Sequence, residues 1–251
     1  MSLDPTMLSI GTWTLLAIAA FGIGITKSGF SGVSLVHVLI FAYVFGAKAS
    51  TGIVLPMLIA GDTMAMLMFG QHADWRYVRK MFPPAMVGVL AAWLLMDVMS
   101  ESYYRPTIGC IILGLAVMQL AKMFREAWFT HIPHRAWFAW VMGVLVGITT
   151  MLANAAGPVY GLFLIAIGLP KKEFVGTAAW FFLLLNLIKI PFSWNLGLIH
   201  TDTLLLNVVL LPGIYIGLVA GSAIANRIGQ RDFEAAIIVL AACAGIYMLL
   251  L

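Results

Sequence analysis

Four side chains stand where a chain this apolar has little reason to keep them: Lys27, Asp62, Asn186 and Lys189. An ammonium neutralises an anion, a carboxylate carries a proton, and an amide orders both by donating and accepting together. Two short polar stretches gather more of the same chemistry. GITKSGFSG (24–32) offers Lys27, Ser28, Gly29, Ser31 and Gly32; TTMLANAAGP (149–158) offers Thr149, Thr150, Asn154 and Gly157. Helices restarting near Gly32 and Gly157 would present loose backbone N–H groups, and such ends attract anions. Pro158 fits a first helical turn. These residue types together point to an anion held among hydroxyl, amide, backbone and ammonium donors.

The elements that must position these residues are membrane helices. The chain has 251 residues, 63% hydrophobic and 10% charged, where soluble domains carry roughly 25% charge. Apolar runs recur along the whole length, without the two-residue alternation of an outer-membrane barrel. About ten apolar segments are predicted, at 7–26, 33–46, 50–70, 81–99, 106–124, 136–156, 157–169, 175–195, 203–226 and 235–251. The second and seventh fall short of the roughly 17–25 residues that a full span needs. They read as broken, tilted or re-entrant helices. The fold class expected is thus an all-α polytopic membrane protein. The first apolar run lacks a basic flank and a cleavage site, so it reads as a retained segment.

Basic residues test the crossing parity. With ten crossings, Lys27, Arg76, Arg79, Lys80, Lys122, Arg125, Arg135, Lys171, Lys172, Arg227 and Arg231 fall in odd-numbered connections. Only Lys48 and Arg105 fall on the other side, and Lys189 lies within a segment. The positive-inside rule then puts the odd connections in the cytoplasm and both termini outside, in a bacterial-type inner membrane. Trp75, Tyr77, Trp128 and Trp137 fall where interfacial aromatics belong. The +4 net charge is a loop property on this reading and calls for no nucleic-acid partner.

The two halves align. Gly22, Ile23 and Gly32 match Gly147, Ile148 and Gly157; Gly52 matches Gly176, and Asp62 matches Asn186. Five segments per half is an odd number, so the second half is expected upside down. Boundaries fall at 1–126 and 127–251. Inverted repeats with interrupted helices at matching positions typify secondary transporters, whose site lies at the midplane where the repeats meet.

KASTGIVLPMLIAGD (48–62), LANAAGPVYG (152–161), GLPKKEFVGTAAWFFLLLN (168–186) and the glycine- and serine-bearing stretch after the first segment carry a family resemblance. In these motifs, and over its whole length, the chain resembles the TauE/SafE sulfite-exporter family, also called the toluene-sulfonate-uptake type. The resemblance implies transport of sulfite, sulfonates or related organosulfur anions, with no cofactor. ANAAGP carries less glycine than that family often shows in its second element.

Other readings are weaker. A channel or membrane-assembly partner fits inverted repeats less naturally than alternating access does. An intramembrane enzyme needs a nucleophile and a base. Ser28 or Ser31 with His37 is the one pair close in sequence, and no G-x-S-x-G elbow occurs. Asp62, far from either end of its segment, is the candidate proton-coupling group, since a carboxylate there must be paired, protonated or functional. Lys189 lies one turn from Asn186 on the same face, either facing the site or snorkelling outward. His131 and His134 supply too few ligands for a metal site. Cys110 and Cys243 read as small core residues. Gly143 with Gly147, and Gly217 with Gly221, read as close-packing faces. Oligomeric state is not legible, because lipid-facing and partner-facing surfaces are equally apolar.

Overall fold

The computed structural model describes residues 8–124 and 136–224. Within them every regular element is helical, and seven helices are long and apolar enough to cross a membrane. The chain runs through α1 (Ile10–Lys27), a 3-10 turn at Ser31–Val33, α2 (Ser34–Phe45) and α3 (Ala47–Phe69). A second 3-10 turn at Gly70–His72 leads to α4 (Trp75–Val98) and α5 (Glu101–Phe124). Then follow α6 (Ala136–Ala153), α7 (Gly157–Ala166), α8 (Lys171–Asn195) and α9 (Asp202–Ile224). Helices are what lipid demands, because only they satisfy each backbone group within one segment. The short pair, α2 and α7, have 12 and 10 residues. At about 1.5 Å per residue each covers about half of a ~30 Å hydrocarbon core.

Helix starts follow local chemistry more than apolarity. Ser9 caps α1 by accepting from the Thr12 N–H at 3.2 Å. The Asp74 carboxylate accepts from the Arg76 N–H at 3.0 Å and caps α4. As a result α4 begins at Trp75, six residues before the predicted apolar run, because the polar WRYVRK turn is helical too. Lys48 closes the other end of α4, donating to the Met96 and Met99 carbonyls at 2.7 and 3.2 Å. A cation at a helix C-terminus also complements the helix dipole.

Packing is reciprocal. The most extensive helix pairs are α4 with α6 and α1 with α9. Gly147 approaches the α4 backbone so closely that a Cβ would collide with Ala85 O, and Gly217 meets Phe21 O of α1 in the same way. Gly52 on α3 is pressed against the backbone of Leu198, just past α8. Gly176 on α8 is pressed against Phe69 O and Ala73 N, just past α3. These two contacts mark opposite ends of the α3–α8 pair. At one end the 71–79 segment shares a surface cleft with Glu173.

Nine of the predicted apolar segments each correspond to one helix in this order. The tenth, at 235–251, lies outside the described residues. So do His131, His134, Arg125, Arg135, Arg227, Arg231, Trp128 and Cys243.

Candidate anion site between two interrupted helix pairs

Both polar stretches break a helix, and both do so with a left-handed residue. Gly29 ends α1 at φ +110°, and Asn154 ends α6 at φ +53°. Asparagine tolerates that region better than most residues, because its short polar side chain bonds locally. The chain then restarts as α2 and α7. The two restarts lie against each other: a Cβ on Gly157 would sit 3.4 Å from Ser31 O and from Ser34 Oγ. Around this junction lies a cavity of about 60 Å³. It has room for about four waters or one small polyatomic anion.

Leu58, Ala65, Phe174, Val175, Ala179 and Phe182 supply apolar lining. The polar lining belongs to a continuous network. Lys27 Nζ pairs with Asp62 Oδ1 at 2.6 Å. Asn186 Nδ2 donates to Asp62 Oδ2 at 2.8 Å, and Asn186 Oδ1 accepts from Lys189 Nζ at 3.2 Å. Lys189 Nζ also donates to Asn154 Oδ1 at 2.6 Å and to Thr150 O at 2.8 Å, with Thr150 Oγ1 at 3.1 Å. Asn154 Nδ2 in turn donates to Thr51 O at 2.9 Å. Four helices, α1, α3, α6 and α8, and the Asn154 break after α6 thus contribute to one network. Asn186 has a single workable orientation: its amide faces the carboxylate and its oxygen faces the ammonium.

The two lysines differ in their duties. Lys189 is surrounded entirely by oxygen acceptors and buried, so it is bound into the scaffold and does not snorkel. Among the described residues Lys27 pairs only with Asp62, and it stands 5.5 Å over the Phe182 ring. It keeps N–H donors in the cavity beyond that pair. Lys27 is thus the lysine at the cavity wall itself, and Lys189 stands behind it as part of the scaffold.

The structure brings Lys27, Gly29, Ser31, Asp62, Thr150, Asn154, Gly157 and Asn186 to the cavity wall. Lys189 sits directly behind them. Three predicted residues lie elsewhere. Ser28 donates to Ile25 O at 2.8 Å and packs against Gly221. Thr149 donates to Leu145 O at 2.7 Å. Gly32 is buried within the 3-10 turn. The hydroxyls of Ser28 and Thr149 are satisfied by their own helix, a habit of membrane serine and threonine. Sequence reasoning did not place Thr26, Ser34, Tyr160 or Phe182 at the site, and it weighed His37 only as the base of a serine pair. The signal for Tyr160 and Ser34 was weak: each is one polar residue in an apolar run, adjacent to an interrupted stretch. Neither Ser28 nor Ser31 bonds to His37, whose ring nitrogens have no hydrogen-bond partner among the described residues. That geometry offers no nucleophile–base pair.

The network draws its polar groups from both halves of the chain. The family model for sulfite exporter TauE/SafE matches residues 16–248. The chain belongs to that family. No curated protein and no solved structure matches it. The family membership and the seven long apolar helices make it a multi-pass membrane protein of a transporter family.

Proposed function

We propose that this chain is a secondary transporter that exports a small sulfur-containing anion, of the sulfite or organosulfonate class, by alternating access at a midplane site. The observation that carries this reading is the Lys27 ammonium, facing a small cavity and held by one carboxylate that an anion can replace.

Reciprocal packing supports a five-plus-five inverted repeat, divided into 1–126 and 127–251. In the proposed alignment α1 corresponds to α6 and α4 to α9. The α1–α9 and α4–α6 contacts are then one contact made twice. Gly29 and Asn154, the left-handed residues at the two breaks, are 125 positions apart, as are Gly32 and Gly157. Gly52 and Gly176 play the same part at opposite ends of the α3–α8 pair. Asp62 and Asn186, each ten residues past its own glycine, meet in a direct hydrogen bond. Ten residues of helix span about 15 Å, half of a hydrocarbon core of about 30 Å. The bond is therefore at mid-depth if the two glycine contacts mark the membrane faces.

Energetics favour export. Moving one charge through 100 mV is worth about 2.3 kcal/mol, and an inside-negative potential drives anions outward. Inward movement needs coupling, and Asp62 is the carboxylate placed to supply it. An anion that draws Lys27 away leaves Asp62 without its cation and ready to take a proton.

The test is flux in proteoliposomes loaded with sulfite, thiosulfate, sulfoacetate or sulfate. Saturable efflux of at least one sulfur oxyanion, abolished by Lys27→Met in protein that still folds, is the expected result. Efflux that never saturates, or that is indifferent to Lys27, would overturn alternating access at this cavity.

A further inference from the structure

Counting the donors around the cavity shows how few remain for a ligand. Both polar atoms of Asn154 and of Asn186 are bonded to protein, as is the Lys189 ammonium. Thr26 donates its hydroxyl to Ile23 O at 2.6 Å, and Ser34 donates to Ser31 O at 2.7 Å. Two cavity-lining side chains stand apart from this pattern. His37 on α2 is 1% exposed and Tyr160 on α7 is 0% exposed. Neither ring nitrogen of His37 and not the Tyr160 hydroxyl has a hydrogen-bond partner among the described residues. Buried polar groups are nearly always partnered, so an orphan beside a cavity asks for an occupant.

Aromatic neighbours hold the Tyr160 ring in place. Its ring stacks on Phe181 at 4.1 Å with an interplanar angle of 7°, and Phe182 meets it edge-on at 5.3 Å. The same Phe182 ring lies beneath Lys27. His37 and Tyr160 come from the two short helices, one from each half. They line the same cavity as the Lys27 ammonium, and several separate donors suit an ion with several oxygens on one centre.

We propose that His37 and Tyr160 are ligand-binding residues, each donating a hydrogen bond to a different oxygen of the bound oxyanion. This rests on the reading that the cavity holds the transported anion, and it adds a specificity device to it. Lys27 supplies charge and accepts any anion, whereas the His37 and Tyr160 donors select for oxygens at fixed positions. A spherical anion such as chloride has no separate oxygens to offer them.

The decisive experiment is a titration of purified full-length protein in detergent with sulfite, thiosulfate, sulfoacetate and chloride, read by calorimetry. Wild type, Tyr160→Phe, His37→Leu and Lys27→Met are compared, and melting temperature is recorded without ligand. Each of Tyr160→Phe and His37→Leu is expected to weaken oxyanion binding by about tenfold or more, the worth of a hydrogen bond to a charged group. Tyr160→Phe should not lower the ligand-free melting temperature, because it deletes an unpartnered hydroxyl and keeps the ring. If Lys27→Met loses binding while the other two variants stay within twofold of wild type, the cavity reading stands and this proposal falls. A loss in one of the two variants alone overturns the assignment of the other residue. Wild type that binds none of the oxyanions overturns both readings together.

Discussion

Lys27 is held from two sides, by the Asp62 carboxylate at 2.6 Å and by the face of Phe182 at 5.5 Å. Removing it does more than subtract a charge, because Asp62 is fully buried and would lose its cation. Breaking a buried pair at one end costs about 3–5 kcal/mol. Lys27→Met should therefore melt at a lower temperature than wild type, and adding Asp62→Asn should recover most of the loss. A double variant no more stable than Lys27→Met would mean the pair is not coupled. Asp62→Asn alone makes the opposite change: Lys27 stays charged, with no carboxylate competing for it. Tighter anion binding, continued anion exchange and loss of any proton-coupled uptake are expected, measured by titration and by flux under an imposed pH gradient. Equal loss of exchange and coupled uptake at normal protein levels would mark Asp62 as structural. Part of this was legible from spacing alone. Lys189 one turn from Asn186 had to share its face, and Asp62 had to find a partner. Which acceptors Lys189 takes was not legible, since Thr150 and Asn154 lie on another helix, joined to it by no local pattern.

Among the elements, the α3–α8 pair depends on two glycines. An alanine at Gly52 or Gly176 would push its methyl into backbone, which cannot rotate away. Overpacking of this kind costs about 1–3 kcal/mol. Each variant should lower the melting temperature, whereas Gly114→Ala, on an exposed face of α5 with nothing within 4 Å, should not. Similar behaviour of all three would show that close approach is not what these glycines provide. Apolar runs gave the helices because lipid leaves few alternatives, but not their ends, because helix geometry continues past the hydrocarbon. The start of α4 shows why: Asp74, and not the first apolar residue, sets it. The Arg76 side chain beside Asp74 holds its carboxyl below the usual carboxylate range, chiefly by hydrogen bonding to it. A depressed carboxyl stabilises the fold above its unfolded pKa of about 4 and loses that contribution as pH falls through the folded value. Asp74→Asn keeps a capping side chain without the charge. Its melting temperature should fall less than that of wild type between neutral pH and pH 3, and parallel curves would remove Asp74 from the acid response.

For the molecule as a whole, the parity of crossings rests on α2 and α7 each carrying the chain toward the opposite face. The cleft shared by Glu173 with 71–79 and the approach of Leu198 to Gly52 lie at opposite ends of the α3–α8 pair. A cysteine at Glu173 should react with an impermeant maleimide from the cytoplasmic side only, and one at Asp202 from outside only, with Cys110 and Cys243 replaced. Labelling of both from one side would reject the orientation.

The hydrogen bond between Asp62 and Asn186 has a consequence for symmetry. Were the second position also aspartate, two carboxylates would face each other at the 2.8 Å now spanned by an amide. On the proposed repeat, two copies of the first half, associating as separate chains, would set two Lys27–Asp62 pairs against each other and would lack the Lys189 ammonium. Two copies of the second half would bring together amides and ammoniums with no acid. A single chain lets each side carry a different charge, and a symmetric dimer of either half could not reproduce the Asp62–Asn186 bond.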